Sequence, residues 1–313
     1  MERVDTTENL ETKKPKKKRT ALKIIGIFIA LFITVGGAYA FSIYRSAQQA
    51  LDNAYTPVET QRAPELRRDN PISVLLLGID RDHPGDRGRS DTMMVVTINP
   101  NEGSTNILSL ARDTRVEIVG RGTIDKINHA YAFGGPQMSI DTVQNFLDIP
   151  IDFFAEIDMD GFMTLVDVVG GVTVTNEFAF SEGGHHFPAG EITLRNSSEV
   201  LEYVRMRFQD PRGDFGRQER QRDVLVALVN EVAGHAVTQF QDIFDTVGDN
   251  LGTNMTMGNI VSLSLNYHSA LGEINQMELR GHGQRINGIY YQVIPDYQLQ
   301  ETRQILRNHL ELN

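Results

Sequence analysis

The feature that most constrains this chain is an uncharged apolar run of 21 residues, IIGIFIALFITVGGAYAFSIY, at positions 24–44. As a helix this run spans about 30 Å, the thickness of a bilayer's hydrocarbon core. The basic cluster KKPKKKR at 13–19 precedes it. Because basic flanks stay on the cytoplasmic side, we expect a cytoplasmic tail at 1–23, a single transmembrane helix at 24–44, and an extracellular body attached to the cell membrane.

A cleaved signal peptide is the alternative, since Ala38-Tyr39-Ala40 resembles a cleavage site. However, the leading basic region is long and the apolar run continues beyond that site. We therefore favour a retained anchor, followed by a polar stalk or linker over residues 45–70.

The body of the protein is acidic and lacks thiols. The chain has 30 basic and 41 acidic residues, of which eight basic and four acidic residues lie in 1–44. From Arg45 onward 22 basic and 37 acidic residues remain, a net charge of −15. Such a charge disfavours general binding to nucleic acid, so an anionic ligand needs a local basic site. With no cysteine in the chain, a zinc–thiolate site or a cysteine nucleophile is excluded.

Hydrophobic patterning predicts an α/β domain. Apolar, β-branched runs at 72–79, 92–98 and 105–110 are typical of strands, the last two being separated by the turn NPNEG. Strands and helices then mix without strict alternation, which favours a three-layer α/β/α arrangement over a doubly wound parallel sheet. Further strands are predicted at 151–157, 276–280 and 290–294, and helices at 136–147, 160–169, 198–204, 218–233, 257–265 and 298–310.

Two aspartates lie at adjoining ends of neighbouring predicted strands. Asp80 ends the first strand and Asp91 opens the second, across a Gly/Pro-rich loop. Two carboxylates that converge repel each other unless a proton or a cation lies between them. Oxygen ligands of this kind suit Mg²⁺, which keeps waters and takes further ligands from substrate phosphates. Solvated loop aspartates are the plainer interpretation.

Arginines are concentrated in one later segment. Six of them lie between positions 205 and 222, in YVRMRFQDPRGDFGRQERQR. Arg205 and Arg207 share a face if their segment is extended, and Arg217 and Gln221 share a face of the next helix. Arginine forks bind phosphate oxygens in pairs, so the segment predicts an anion site, with a solvated basic helix as the alternative.

Several motifs follow one another along about residues 72–235. They are LLLGIDR (75–81), RSDTMMV (89–95), SLARDTRV (109–116), KINHAYAFGG (126–135), VDVVGGVTV (166–174), YVRMR (203–207) and GDFGRQERQ (213–221). In sequence and in order these motifs resemble the LytR–CpsA–Psr proteins of bacterial cell-wall assembly, and the upstream anchor fits as well. The likeness is strongest to the enzymes that attach teichoic acids in Gram-positive bacteria.

The resemblance implies a three-layer α/β/α domain with a mixed central sheet, its catalytic core at 71–235 and the rest of the same extracellular domain at 236–313. It implies a phosphotransferase that moves an anionic glycopolymer from undecaprenyl diphosphate to a peptidoglycan hydroxyl as a phosphodiester, wall teichoic acid being the first candidate. Asp80 and Asp91 would bind Mg²⁺, or Mn²⁺ in its place, and with Arg112 form the catalytic group. The residues expected to bind the diphosphate are Arg89, Arg112, Lys126, Arg205, Arg207, Arg217 and Gln221.

The chemistry agrees with these residue types, because phosphoryl transfer requires charge neutralisation and positioning more than a covalent nucleophile. Either Asp80 or Asp91 can accept the proton of the acceptor hydroxyl, and the sequence does not choose between them. The family places the prenyl chain between sheet and helices. Candidates here are Phe153, Phe162, Leu165 and the 224–232 helix, although core packing explains each of them equally well.

Two other functions stay open. The same site can hydrolyse a polyprenyl diphosphate with water as the acceptor, and a membrane-bound regulator or scaffold of wall assembly needs no catalysis. A DNA-binding regulator is disfavoured, since a cytoplasmic tail of residues 1–23 has no room for a helix-turn-helix. We therefore expect a lipid-linked glycopolymer, peptidoglycan and the membrane as partners, and no nucleic acid.

Overall fold

The computed structural model describes residues 45, 48, 51, 52, 54–62, 64–81, 86–234 and 250–312. Among these residues no helix combines the length and apolarity needed to cross a bilayer. The predicted cytoplasmic tail (1–23) and transmembrane helix (24–44) lie outside the described residues, so both stay predictions.

The described elements alternate irregularly between strands and helices. The strands are β1 Ile72–Asp80, β2 Arg89–Asn99, β3 Ser104–Leu110, β4 Arg115–Ile118, β5 Thr123–Lys126, β6 Phe153–Asp158, β7 Val172–Asn176, β8 Phe180–Glu182, β9 His185–Phe187, β10 Gly190–Leu194, β11 Leu251–Thr253, β12 Glu273–Glu278, β13 His282–Ile286 and β14 Ile289–Val293. The α-helices are α1 His129–Leu147, α2 Met159–Val169, α3 Ser197–Arg205, α4 Asp214–Gly234, α5 Met257–Asn266 and α6 Asp296–His309.

A mixed sheet in the order β11-β6-β1-β2-β3-β12 forms the centre of the domain. β1, β2 and β3 pair antiparallel, whereas β6 runs parallel to β1 and β12 runs parallel to β3. The prediction of an α/β fold with a mixed central sheet is confirmed. Strands from the C-terminal region, β11 and β12, lie at the two edges, so this region completes the same sheet.

Both faces of the sheet are covered by helices. Successive residues of a strand point to opposite faces, so β1 contributes to a buried cluster on each side. Leu75, Leu77 and Ile79 of β1 join a buried cluster with residues of α1 and α6. Ile72 and Val74 join a cluster on the other face, against residues of α4 and α5. A strand buried on both faces reads as a continuous apolar run, which is why ISVLLLGI identifies β1.

A third buried cluster packs α2, α3 and α4 against the small strands β7 to β10. At its centre the rings of Phe180, Phe187 and Tyr203 lie with centroids 4.9 to 5.6 Å apart. α2 begins where the Asp158 carboxylate accepts from Gly161 N at 2.9 Å, as an N-cap does. The helix therefore starts directly at the end of β6.

Part of the predicted 45–70 linker contacts the domain. Thr56 N donates to Thr253 O at 2.8 Å. Arg62 donates to Asp152 through Nε at 2.5 Å and Nη2 at 2.7 Å, and the Asp152 side chain is fully buried. The Asp152 carboxylate also accepts from Ser73 N at 2.8 Å. This network attaches the segment before β1 to the central sheet, where β1 and β6 begin.

The element boundaries differ from prediction in several places. The helix predicted at 136–147 begins at His129, and its kink lies at Gly135, with φ 66° and ψ −153°, before Pro136. Proline disfavours the α conformation in the residue before it, which explains why the pattern indicated a start at Pro136. The hairpin β4–β5 and the strands β7 to β10 were not predicted. β5, β8 and β9 are only three or four residues long and carry little apolar periodicity, whereas β7 alternates and was missed.

We expect the protein to lose stability in mild acid through His309. Its ring is buried, with Thr97 Oγ1 at 2.7 Å from Nδ1 and Ser104 Oγ at 3.0 Å from Nε2. Burial lowers the pKa of His309 below its ordinary value of 6.5, so the unfolded chain binds this proton more readily than the folded chain. The stabilising contribution is thus complete above about pH 6.5 and is lost as the pH falls through the lower folded pKa.

The measurement is the melting temperature between pH 7.5 and pH 5.0. His309→Gln should flatten the acid-side decline, whereas His268→Gln, at an exposed histidine, should leave it unchanged. A constant difference between wild type and His309→Gln across this range would contradict the assignment.

Candidate functional site

The two predicted aspartates line one cleft at the ends of β1 and β2. The register pairs Asp80 with Arg89 across the two strands. A cleft of about 80 Å³ is lined there by Asp80, Asp86, Gly88, Arg89, Asp91 and Ala132. Gly88 has φ +79°, and a Cβ on it would lie 2.5 Å from Asp80 O, so only glycine fits this turn. The turn brings β2 back beside Asp80.

Asp91 and Arg112 form an ion pair because of the β2–β3 register. Met93 pairs with Leu110 in this antiparallel ladder. Two residues further along the same register, Asp91 lies opposite Arg112. Arg112 Nη1 donates to Asp91 Oδ2, and Asn128 Nδ2 donates to Asp91 Oδ1 at 3.1 Å. One carboxylate therefore connects β2, the turn after β3 and the start of α1.

Lys126 lies next to this pair, on β5. Its Nζ is 2.6 Å from Asp113 Oδ1, and Arg112 Nε is 3.9 Å from Asp113 Oδ2. Asp113 thus lies between two cations and offsets part of their charge. Lys126 is not among the lining residues of the clefts described here, so a direct contact between Lys126 and a phosphate stays a prediction.

Two further clefts continue from the first. A cleft of about 10 Å³ holds Asp91, Arg112, Arg217, Gln218 and Gln221 among its lining residues. The largest, of about 200 Å³, is lined by Ala111, Arg112, Asp113, Arg207, Arg212, Gln218, Tyr290 and Gln292. Neighbouring clefts share Asp91, Arg112 and Gln218 in their linings. Because neighbouring clefts share these lining residues, we treat the three together and call them the polar groove.

The arginine-rich segment divides into two groups. Arg207, Arg212 and Arg217 line the polar groove. Arg220 is buried; it donates to Asp210 Oδ2 at 2.6 Å and to Tyr203 O at 3.2 Å. Arg222 is also buried, and that burial lowers the pKa of its guanidinium. Arg220 therefore has a structural role, and Arg222, which donates through Nε to Gln276 Oε1 at 3.3 Å, lines none of the three clefts.

Arg205 and Arg207 do not share a face of an extended segment. Arg205 is the last residue of α3, and Met206 leaves the helix with φ −55° and ψ 129°. Arg207 lines the largest cleft, whereas Arg205 is exposed and lines none of the three. Binding of a phosphate by Arg205 stays a prediction.

Several residues that line the groove, and Asn128 beside it, are not among the predicted site residues. Asn128 and Gln218 lie inside the motifs KINHAYAFGG and GDFGRQERQ, so the signal for them was present. Tyr290 and Gln292 carried no local signal. Their hairpin, β13–β14, reaches the groove because Gln292 N donates to Asp113 O at 2.8 Å, a contact between residues distant in sequence.

The oxygen ligands in the groove fit a magnesium ion that keeps its waters. Within the described part of the chain, no three acidic or histidine side chains gather into a metal cage. Mg²⁺ needs only one or two carboxylates when substrate phosphates and waters supply the rest. Asp80 and Asp91 line the same cleft, and Asp91 retains acceptor capacity beyond its two hydrogen bonds.

The residues predicted to surround a prenyl chain lie in the two clusters that meet at α4. Phe153 belongs to the cluster on the sheet face, with Leu225 and Val226 of α4 against it. Phe162 and Leu165 of α2 pack against the cluster that contains Val224. None of the three predicted residues lines the polar groove. A lipid sleeve between these clusters stays a prediction.

The chain is similar to known proteins over nearly its whole length. It matches the model of the LytR_cpsA_psr family over residues 39–308. It is 41% identical over 307 residues to the polyisoprenyl-teichoic acid–peptidoglycan teichoic acid transferase TagU of Bacillus subtilis (strain 168), covering 96% of this chain and 100% of that one. The crystal structure of B. subtilis TagU superposes with a TM-score of 0.65 at 44% identity, covering 78% of this chain and 98% of that chain. A structure of TagT bound to LIIa-WTA superposes with a TM-score of 0.68 at 31% identity, covering 80% and 95%.

We expect substitutions in the two groups of arginines to differ in how much they lower the free energy of unfolding. Arg220→Ala removes the nearer of the two cations at the fully buried Asp210 side chain, where Arg212 Nε lies at 3.5 Å, and should lower the free energy of unfolding by about 3 kcal/mol. Arg207→Ala removes an exposed guanidinium and should cost less than about 1 kcal/mol. Urea unfolding followed by circular dichroism measures both, and equal losses would contradict this division of roles.

Proposed function

Because the chain belongs to the LytR–CpsA–Psr family, we propose that it transfers an anionic cell-wall glycopolymer from undecaprenyl diphosphate to a peptidoglycan hydroxyl, as a phosphodiester. Wall teichoic acid is the polymer we favour, since the similar proteins are named teichoic acid transferases. The observation that carries the proposal is the polar groove, whose three adjoining clefts are lined by two aspartates of the predicted site and by several arginines.

The charges of the groove suit a diphosphate. From Arg45 onward the chain carries a net charge of −15, yet Arg89, Arg112, Arg207 and Arg217 line the groove. Guanidinium groups fixed around a diphosphate stabilise the charge that develops on the leaving lipid phosphate without reorganising. We assign these four arginines and Gln221 to the diphosphate.

Asp80 and Asp91 are the residues we assign to Mg²⁺ or Mn²⁺. When bound, the ion would offset phosphate charge at the aspartate end of the groove. The two carboxylates differ in their surroundings, because both Asp91 oxygens accept hydrogen bonds whereas Asp80 is exposed at the end of β1. We therefore assign acceptance of the hydroxyl proton to Asp80, and the ordering of Arg112 to Asp91.

We propose that the protein is a single-pass protein of the cell membrane, with its N-terminus cytoplasmic and its C-terminal domain extracellular. The support is the uncharged run at 24–44 behind a basic cluster. An anchor of this kind keeps the groove close to a donor whose prenyl chain lies in the bilayer.

We predict that Asp91→Ala and Arg112→Ala each reduce polymer transfer by roughly 100-fold or more, as the loss of one fixed electrostatic group commonly does. The assay incubates purified protein with a radiolabelled lipid-diphosphate glycopolymer and peptidoglycan, and measures wall-linked polymer and free polymer separately. Both side chains are partly exposed, so the melting temperature should change little.

The matched controls are Asp160→Ala and Arg195→Ala, at exposed residues away from the groove. Both should retain wild-type transfer. Full activity of Asp91→Ala or Arg112→Ala would refute the site assignment. Release of free polymer without any wall-linked product by the wild-type protein would instead show a hydrolase.

A further inference from the structure

The hairpin β13–β14 adds an aromatic ring and an amide to the end of the polar groove farthest from Asp80. Tyr290 is 44% exposed and lines the largest cleft together with Gln292. Tyr290 OH donates to Gln292 Oε1 at 3.4 Å. These two side chains carry no charge, whereas Arg112, Asp113, Arg207 and Arg212 in the same lining are charged. The hairpin therefore places an aromatic ring and an amide beside the guanidinium groups that we assign to the phosphates.

Gln292 points to a ligand independently of the ring. The residue is only 6% exposed, and its Nε2 is buried with no hydrogen-bond partner among the described residues. A buried donor without an acceptor destabilises the protein unless a ligand supplies one. Its backbone is fixed by the hydrogen bond to Asp113 O, so the amide is held in place beside the phosphate-binding end.

We propose that Tyr290 and Gln292 form a sugar subsite, in which the tyrosine ring packs against the apolar face of a pyranose and Gln292 Nε2 donates to its hydroxyl or acetamido oxygen. This inference rests on the proposed function, which places the phosphates at Arg112. A cleft of about 200 Å³ is smaller than the pockets of about 300–1,000 Å³ that enclose drug-sized ligands, so the subsite accepts a single ring. That ring comes either from the lipid-linked donor or from the peptidoglycan acceptor.

The absence of tryptophan from the chain makes a direct test available. Tyr290→Trp keeps an aromatic surface and introduces the protein's only indole, whose fluorescence reports a ring packed against it. Tyr297→Trp is the matched control, because Tyr297 is 70% exposed and does not line the groove. Full-length protein in detergent is titrated with geranyl diphosphate, with geranyl-diphosphate-linked N-acetylglucosamine, and with the N-acetylglucosamine–N-acetylmuramic acid disaccharide.

A spectral shift of Tyr290→Trp with the sugar-bearing diphosphate, but not with geranyl diphosphate, supports the subsite and assigns it to the donor. A shift with the disaccharide supports it and assigns it to the acceptor. No shift with either sugar, or the same shift with geranyl diphosphate alone, overturns the proposal. Calorimetry with geranyl diphosphate and wild-type protein checks the phosphate site separately: if it does not bind, the proposed function fails whatever the indole reports.

Kinetics supply a readout that a structural role would not give. Tyr290→Ala should raise the KM of the sugar-bearing substrate about tenfold with little change in kcat, whereas Tyr290→Phe, which keeps the ring, should stay near wild type. Gln292→Met removes the unpaired amide and should raise the same KM without lowering the melting temperature. An unchanged KM in both Tyr290→Ala and Gln292→Met would overturn the proposal.

Discussion

The ion pair between Asp91 and Arg112 is the interaction on which the arrangement of the groove depends. It joins the start of β2 to the turn after β3, and Asn128 connects the same carboxylate to α1. Three separate stretches of chain are thereby held together where β2 begins and β3 ends. Arg112 also approaches Asp113, which contacts Lys126. Carboxylates thus offset part of the charge of Arg112 and Lys126 in this basic part of an acidic domain.

The mixed sheet explains why these residues meet. In the antiparallel pairs of β1, β2 and β3, the end of one strand lies beside the start of the next. Asp80, Arg89 and Asp91 are consequently brought together by strand pairing and one glycine turn. The C-terminal region contributes in two ways, because β11 and β12 flank the sheet while the β13–β14 hairpin extends the groove. Residues from both halves of the chain thus form a single site.

The arginines illustrate how position decides the role of one residue type. Arg220 has its charge balanced by Asp210 and its remaining donors directed at backbone carbonyls, as a buried guanidinium requires. Arg217 and Gln218, nearby on α4, line the groove instead. The helix therefore has one side that supports the buried cluster around Tyr203 and another that lines the groove. A count of arginines in the segment does not distinguish the two.

The sequence by itself determined the strands β1, β2 and β3, the aspartates at their ends, and the family to which the chain belongs. These follow from local periodicity and from motifs whose residues are close together in the chain. Only the tertiary structure decided that Arg220 is buried, that Arg205 ends a helix outside the groove, and that Tyr290 and Gln292 lie beside Arg112. The physical reason is that burial and long-range pairing depend on how distant segments pack. The contact of Gln292 with Asp113 leaves no pattern in either segment alone.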